Sequence, residues 1–164
     1  MSDAVARVAA SPSGPTLLYL MKQVELAIRA RLEELARPVG LTALQYTALT
    51  VLERHPDLTS AHLARRSFVT SQSTADMVTA LLDRGLIERH RDPADRRRLV
   101  IALTDQGRAL LAALGPRVAD LEQEMVMRLT ADEAVQLRWS LEQCRETLAA
   151  RSPEGSSPAE VVAE

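Results

Sequence analysis

The stretch from Leu81 to Thr104, LLDRGLIERHRDPADRRRLVIALT, most restricts the fold of this 164-residue chain. It begins with the end of a helical pattern, and Gly85 stands where a helix commonly ends on a left-handed residue. The segment 86–91 then predicts one β-strand, and 98–103 predicts its antiparallel partner. The stretch therefore predicts a helix, a tight hairpin and the start of another helix.

The second predicted strand has a regular apolar spacing. Leu99, Ile101 and Leu103 recur with a period of two, and successive side chains of a strand point to opposite faces of the sheet. We therefore expect these three side chains to form one buried face.

The turn between the strands, DPADRR, combines turn-forming residues with positive charge. Asp92 and Pro93 suit the first two positions of a β-turn. Arg96, Arg97 and Arg98 follow, and because burying three cations is costly, the tip must face water or an anionic partner. A plain solvated turn is the alternative that the charge alone leaves open.

Positive and negative charges are separated along the chain, although the formal net charge is only -2. Residues 59–98 contain eight arginines and five acids, a local balance of +3. Residues 119–164 contain ten acids and four arginines, a local balance of −6. This separation predicts that the basic middle of the chain, residues 59–98, forms a face for an anionic partner.

Composition argues against several other classes of protein. The single cysteine, Cys144, allows no intrachain disulfide and fits a reducing compartment. Because the sequence has neither a membrane-length apolar run nor a signal-peptide pattern, we expect a cytoplasmic protein without membrane contact. Phosphate-binding loops, nucleophile elbows and ligand-spaced histidines are also missing, so we expect neither enzymatic activity nor a metal or other cofactor.

Helical spacing of apolar residues predicts six helices, and with the hairpin this indicates a mainly α fold. Two short helices, a tight connection and a hairpin, in this order, are typical of a winged helix-turn-helix. Each predicted helix starts near or just after a threonine, and Thr130 with Glu133 has the spacing of a capping box for the sixth helix. These threonines are Thr16, Thr42, Thr59, Thr70, Thr104 and Thr130.

The fourth predicted helix would be the recognition helix of this motif. Glutamine can read adenine through two hydrogen bonds, and serine can contact several bases. The wing of this motif is the hairpin, residues 86–103. Since 70–83 contains no Lys or Arg, phosphate contacts must come from Arg65, Arg66, Arg84 and the wing. A simple N-cap cluster is the alternative explanation of the serines and threonines. The candidate base-contacting residues are Thr70, Ser71, Gln72, Ser73, Thr74 and Asp76.

The first, fifth and sixth helices carry long apolar stripes that the small winged helix-turn-helix part cannot cover alone. Packing against the same helices of a second copy would bury them, and a two-fold dimer presents two recognition helices about one DNA turn (~34 Å) apart. An intrachain helical subdomain is the alternative.

The expected domain organisation follows from these patterns. We expect a flexible N-terminal arm, one domain and a disordered tail rich in Pro, Gly, Ser and Glu. The boundaries are 1–14 for the arm, 15–151 for the domain, 152–164 for the tail, 15–37 and 104–150 for the dimerisation helices, and 41–103 for the winged helix-turn-helix.

Several motifs of the chain resemble the signature of the MarR family, the multiple-antibiotic-resistance-type transcriptional regulators. The wing region carries GLIER at 85–89, DPADRR at 92–97 and LTDQG at 103–107. Upstream, 41–52 resembles the family's second helix and 63–74 its helix-turn-helix. The resemblance implies a homodimer that binds double-stranded operator DNA, usually as a repressor. A winged-helix protein-interaction module that does not bind DNA is the alternative.

The resemblance also implies roles for particular residues. The Asp-x-Arg pattern of the wing corresponds to Asp95 and Arg97, with Arg97 in the minor groove and Asp95 orienting it. Members of the family often release DNA when a small phenolic or lipophilic ligand binds between the dimerisation helices and the reading domain. This implies a ligand pocket near Leu17, Leu20, Tyr46 and Leu49.

The chain departs from many relatives at two places. Asp76 stands where they carry a basic residue. The cysteine near the start of the first helix, which the hydroperoxide-sensing branch uses, is also missing. Cys144 lies instead on the apolar stripe of the sixth helix, where we expect it to be a packing residue.

Overall fold

The computed structural model describes residues 14–67 and 71–149, and for Ser71 and Gln72 it describes the backbone alone. The chain falls into two compact units that divide between Ala43 and Leu44. Most of the expected arm, the expected tail and Thr70 lie outside the described residues.

The first unit contains helix α1, Leu17–Ala36, and a short 3-10 helix, Arg37–Val39. Helix α1 begins next to Thr16 as predicted, and Thr16 caps it, because its Oγ1 accepts a hydrogen bond from the Tyr19 N–H at 3.2 Å. Gly40 ends the 3-10 helix with a left-handed φ of 71°, which glycine adopts without strain.

The remaining elements confirm a mainly α fold with a small hairpin. The two strands form one antiparallel sheet. In chain order the elements are α2 (Ala43–Arg54), α3 (Ser60–Ser67), α4 (Ser71–Asp83), β1 (Ile87–Arg91), β2 (Leu99–Leu103), α5 (Asp105–Val126) and α6 (Ala131–Ala149).

Two further threonine caps explain where helices begin. The Thr59 Oγ1 accepts from the His62 N–H at 3.2 Å at the start of α3. The Thr130 N–H donates to Glu133 Oε2 at 2.8 Å, and the Glu133 N–H donates back to Thr130 Oγ1 at 3.3 Å. This capping box confirms the prediction for α6, and its hydrogen bonds lower the pKa of the Glu133 carboxyl.

Aliphatic side chains from the helices and the hairpin form the core of the second unit. Each fully buried Val, Leu or Ile side chain contributes roughly 1.5–3 kcal/mol to the stability of the fold relative to an exposed one. The largest fully buried aliphatic side chains are Leu49, Leu52, Leu63, Val78, Leu81, Leu86, Val100 and Ile101.

The hairpin corrects one expectation about burial. Leu103 pairs with Ile87 at the base of the hairpin, and Leu99 pairs with Arg91 at the outer end. The prediction that Leu99 shares a buried face with Ile101 and Leu103 was wrong, since Leu99 is 55% exposed. It lies too close to the tip for the core to cover it. Val100 is fully buried instead, so both faces of β2 are covered near its middle.

Thr104 closes the base of the hairpin. Its hydroxyl donates to the Gly85 carbonyl at 2.7 Å and accepts from the Gly107 N–H at 3.1 Å, while its own N–H donates to the Leu86 carbonyl at 3.2 Å. Gly85 has the predicted left-handed backbone, with φ of 66°. A Cβ at Gly107 would overlap the Leu86 carbonyl oxygen, so α5 can start here only with glycine at this position.

Replacing Gly107 with alanine should therefore destabilise the fold. We expect Gly107→Ala to lower the free energy of unfolding by about 1–3 kcal/mol, the usual effect of forcing an atom into filled space. Gly115→Ala on the same helix is the matched control, because a Cβ there meets open space. This variant should leave the free energy of unfolding nearly unchanged. A residue before a proline is disfavoured in the helical region, which reduces the usual stabilising effect of alanine over glycine in a helix. Urea denaturation would measure both, and equal stability of the two variants would contradict the close approach.

Candidate nucleic-acid interface

The turn that joins β1 to β2 is held by its own side chains. Asp92 Oδ1 accepts from the Ala94 N–H at 2.8 Å, and Asp95 Oδ1 accepts from the Arg97 N–H at 3.0 Å. The Arg98 N–H also donates to the Asp95 carbonyl at 2.9 Å. These Asx-type contacts make the tip a preformed turn. Asp95 and Arg97, which were expected to act together, are joined here through the Arg97 backbone.

The wing tip presents arginine side chains on this ordered turn. Arg96, Arg97 and Arg98 are all exposed. The Arg98 guanidinium lies 3.8 Å from the Asp92 carboxylate, and Arg91 Nη1 donates to the Arg96 carbonyl at 2.7 Å. Arg91 was not among the predicted site residues, although its place at the end of the strand next to the tip was a usable signal.

One residue predicted to contact DNA is buried and cannot take that role. Thr74 on α4 is only 1% exposed, so its assignment was wrong. Residues three and four positions apart share one face of a helix. Thr74 therefore lies on the same face as the buried Met77 and Val78 and faces the core.

The other predicted residues of α4 divide into two groups. Ser73 and Asp76 have exposed side chains. The side chains of Ser71 and Gln72 and the whole of Thr70 lie outside the described part of the chain. Their contacts with bases stay predictions.

The arginines predicted to contact phosphates are exposed on α3 and just after α4. Arg65 and Arg66 occupy the last turn of α3, and Arg84 follows the end of α4. Arg66 Nη1 lies 3.1 Å from His55 Nε2. Exposed positive charge thus occurs on α3, after α4 and at the wing tip.

The turn between α2 and α3 is tied to the hairpin by contacts that the sequence did not reveal. The Ile101 N–H donates to the Leu58 carbonyl at 2.8 Å, which forms an isolated β-bridge. His90 Nε2 lies 3.0 Å from Asp57 Oδ1. These partners are far apart in sequence, and no local spacing rule connects them.

The four residues of the predicted ligand pocket have different environments. Leu17 and Leu20 on α1 are exposed, whereas Leu49 on α2 is fully buried. Tyr46 is half-buried, and burial together with the negative charge of Glu53 raises the pKa of its phenol. The pocket stays a prediction.

Three further expectations concern metals, membranes and the cysteine. Within residues 14–67 and 71–149, no group of three or more His, Cys, Asp or Glu side chains could hold a metal ion. No helix in these same ranges has the length and apolar character needed to cross a membrane. Cys144 is exposed in the single chain, so the described chain does not bury it, and its packing stays a prediction.

The helix-turn-helix and the arginine-tipped hairpin together define a winged helix-turn-helix protein. The model of the MarR family matches residues 39–98. An HTH-type transcriptional repressor of Mycobacterium tuberculosis is 32% identical over 124 residues, which cover 76% of this chain and 89% of the relative. The chain belongs to the MarR family.

Solved structures show the same fold. A MarR family transcriptional regulator from Silicibacter pomeroyi has a TM-score of 0.78 and 25% identity, covering 87% of this chain and 98% of that one. A mutant of MarR from E. coli, crystallised with operator DNA, has a TM-score of 0.67 and 29% identity, covering 78% of this chain and 92% of that one.

The order of the wing tip should depend on Asp95. In Asp95→Ala the Arg97 amide loses its acceptor, so we expect its hydrogen exchange to become about three- to tenfold faster, as for the loss of one ordinary hydrogen bond. Asp120→Ala, at an exposed aspartate of α5, is the control and should not change that rate. Amide exchange followed by NMR would measure both. An unchanged rate in Asp95→Ala would show that the turn does not need this carboxylate.

Proposed function

We propose that this protein is a cytoplasmic, homodimeric transcriptional regulator that binds double-stranded operator DNA, acts as a repressor and is not an enzyme. The observation that carries the proposal is the wing, where three exposed arginines stand on a turn that is already ordered by Asp92 and Asp95. The repressor of M. tuberculosis and the operator complex of E. coli MarR support it.

The proposed binding mode assigns each basic element a part of the DNA. A narrow minor groove concentrates negative potential, which favours an inserted Arg97. Helix α4 enters the major groove and presents Ser73 and Asp76 to the bases. Arg65, Arg66 and Arg84 contact phosphates, which supplies the affinity that α4 lacks because it carries no Lys or Arg.

The proposed dimer rests on apolar surface that the single chain leaves uncovered. None of the described residues of α6 is buried, and α1 exposes large aliphatic and aromatic side chains along its first half. Such surface favours association by about 25 cal/mol per Å² removed from water. Exposed residues of this kind are Leu17, Leu18, Tyr19, Met21, Val24, Val135, Leu137, Trp139, Leu141 and Leu148.

The proposed regulation is release of DNA by a small lipophilic or phenolic ligand near Leu17, Leu20, Tyr46 and Leu49. Apolar exposed side chains on α1 suit a lipophilic ligand. The phenol hydroxyl of the half-buried Tyr46 can donate a hydrogen bond to a phenolic oxygen.

A protein-interaction module without DNA binding is the second candidate function. The absence of Lys and Arg from α4 favours it. Salt separates the two, because binding to phosphates weakens steeply as salt rises whereas an apolar protein interface does not weaken in this way.

The wing assignment predicts the effect of removing one arginine. We expect Arg97→Ala to lose about 1–3 kcal/mol of operator binding while keeping its fold. Fluorescence anisotropy with DNA from upstream of the protein's own gene, at two salt concentrations, would measure it. Arg117→Ala removes the same charge from α5 and should bind like the wild type. A folded Arg97→Ala protein with unchanged affinity would disprove the wing contact, and failure of the wild type on any duplex at low salt would favour the interaction module.

The dimer proposal predicts the effect of a charge on the apolar stripe of α6. Leu141→Glu places a carboxylate where the partner helix packs, so we expect a shift from dimer to monomer by at least tenfold in dissociation constant, roughly the penalty of burying an unpaired polar group. Gln143→Glu adds the same charge away from the stripe and should remain dimeric. Analytical ultracentrifugation would report both. A wild-type monomer at all concentrations would refute the homodimer.

A further inference from the structure

We propose that His55 is a positioning residue that holds the Arg66 guanidinium ready for a DNA phosphate, a role that rests on the proposed function. The two side chains meet at 3.1 Å between Arg66 Nη1 and His55 Nε2. An arginine can only donate hydrogen bonds, so His55 Nε2 must accept and therefore carries no proton. The imidazole acts here as a neutral acceptor.

His55 stands on a turn that is fixed on both sides. Its N–H donates to the Val51 carbonyl at 2.9 Å and so continues the hydrogen bonds of α2. Two residues further on, Asp57 adopts a left-handed φ of 62° and pairs with His90 at 3.0 Å. The Leu58 carbonyl then accepts from the Ile101 N–H at 2.8 Å. These contacts give the imidazole a defined place from which to hold Arg66.

The neutral charge of the partner matters for binding an anion. A carboxylate beside a guanidinium offsets its charge, as Asp92 does for Arg98 at the wing. His55 holds Arg66 without cancelling its charge. The guanidinium has five N–H donors, and those not engaged by His55 remain for phosphate oxygens.

Holding the side chain in advance lowers the entropy lost on binding. A free arginine side chain has many rotamers, and immobilising it at an interface costs conformational entropy. A side chain that His55 already orders loses less of this freedom when it meets DNA. His55 should therefore raise the affinity for DNA without changing its salt dependence, because His55 adds no charge of its own.

The first test compares affinity with its salt dependence. Under slightly alkaline conditions, His55→Ala should weaken operator binding about three- to tenfold, with an unchanged slope of affinity against salt. Arg66→Ala should weaken binding and also lower that slope by about one. A lowered slope in His55→Ala would overturn the proposal, because it would mean that His55 itself neutralises a phosphate.

A double-mutant cycle shows whether His55 acts through Arg66. In the Arg66→Ala background, His55→Ala should cause no further loss. In the Arg65→Ala background, the matched control, it should still cause the full loss. Losses that add in the Arg66→Ala background would overturn the proposal. Circular dichroism would confirm that each variant is folded.

Two replacements of His55 separate geometry from charge. His55→Gln keeps a neutral acceptor and should restore most of the affinity that His55→Ala loses. His55→Glu keeps an acceptor but adds a negative charge, so it should bind more weakly than His55→Ala. Equal binding by the Gln, Glu and Ala variants would overturn the positioning role.

The hydrogen bond itself can be tested without DNA. Nitrogen-15 NMR should show an unprotonated Nε2 in His55 whose resonance shifts in Arg66→Ala but not in Arg65→Ala. Failure of the wild type to bind any duplex would refute the proposed function. Wild-type binding together with additive losses, or a His55 resonance indifferent to Arg66→Ala, would refute the role of His55 alone.

Discussion

The contact of Thr104 with the end of α4 is the interaction on which the wing depends. One hydroxyl joins the Gly85 carbonyl to the Gly107 N–H, so the last turn before the hairpin and the first turn after it meet at one point. Gly107 allows this because any side chain there would strike the Leu86 carbonyl. Both ends of the hairpin are thereby held at its base, and the arginine tip lies at the opposite end of the hairpin.

The wing shows how a small turn can present several cations without losing its shape. Adjacent arginines repel one another, and a flexible loop would let them spread apart. Here Asp92 and Asp95 satisfy backbone N–H groups of the turn, and Arg91 satisfies a backbone carbonyl. The backbone is therefore ordered by short local contacts, which leaves Arg96 and Arg97 exposed toward the solvent.

Local signals accounted for much of the fold. The caps at Thr16, Thr59 and Thr130 mark helix starts because a hydroxyl reaches an N–H only two or three residues away. Gly85 marks a helix end because its backbone needs a positive φ. Such features depend on few neighbouring residues, and the sequence alone is sufficient to identify them. The wing arginines were equally evident because charge on a turn is seldom buried.

Burial and long-range pairing needed the tertiary structure. Period-two spacing could not show that Leu99 lies beyond the reach of the core while Val100 is covered on its other face. The polar character of Thr74 favoured a contact with DNA, but the packing of α4 turned it inward.

What the sequence by itself determined is the order of helices and hairpin, their caps and the basic tip, because these follow from contacts between near neighbours. Only the tertiary structure decided which side chains meet across distant segments, as His55 meets Arg66 and Asp57 meets His90. The physical reason is that such pairs form only after the core has brought their elements together, and the core is shared by many residues that no single spacing describes.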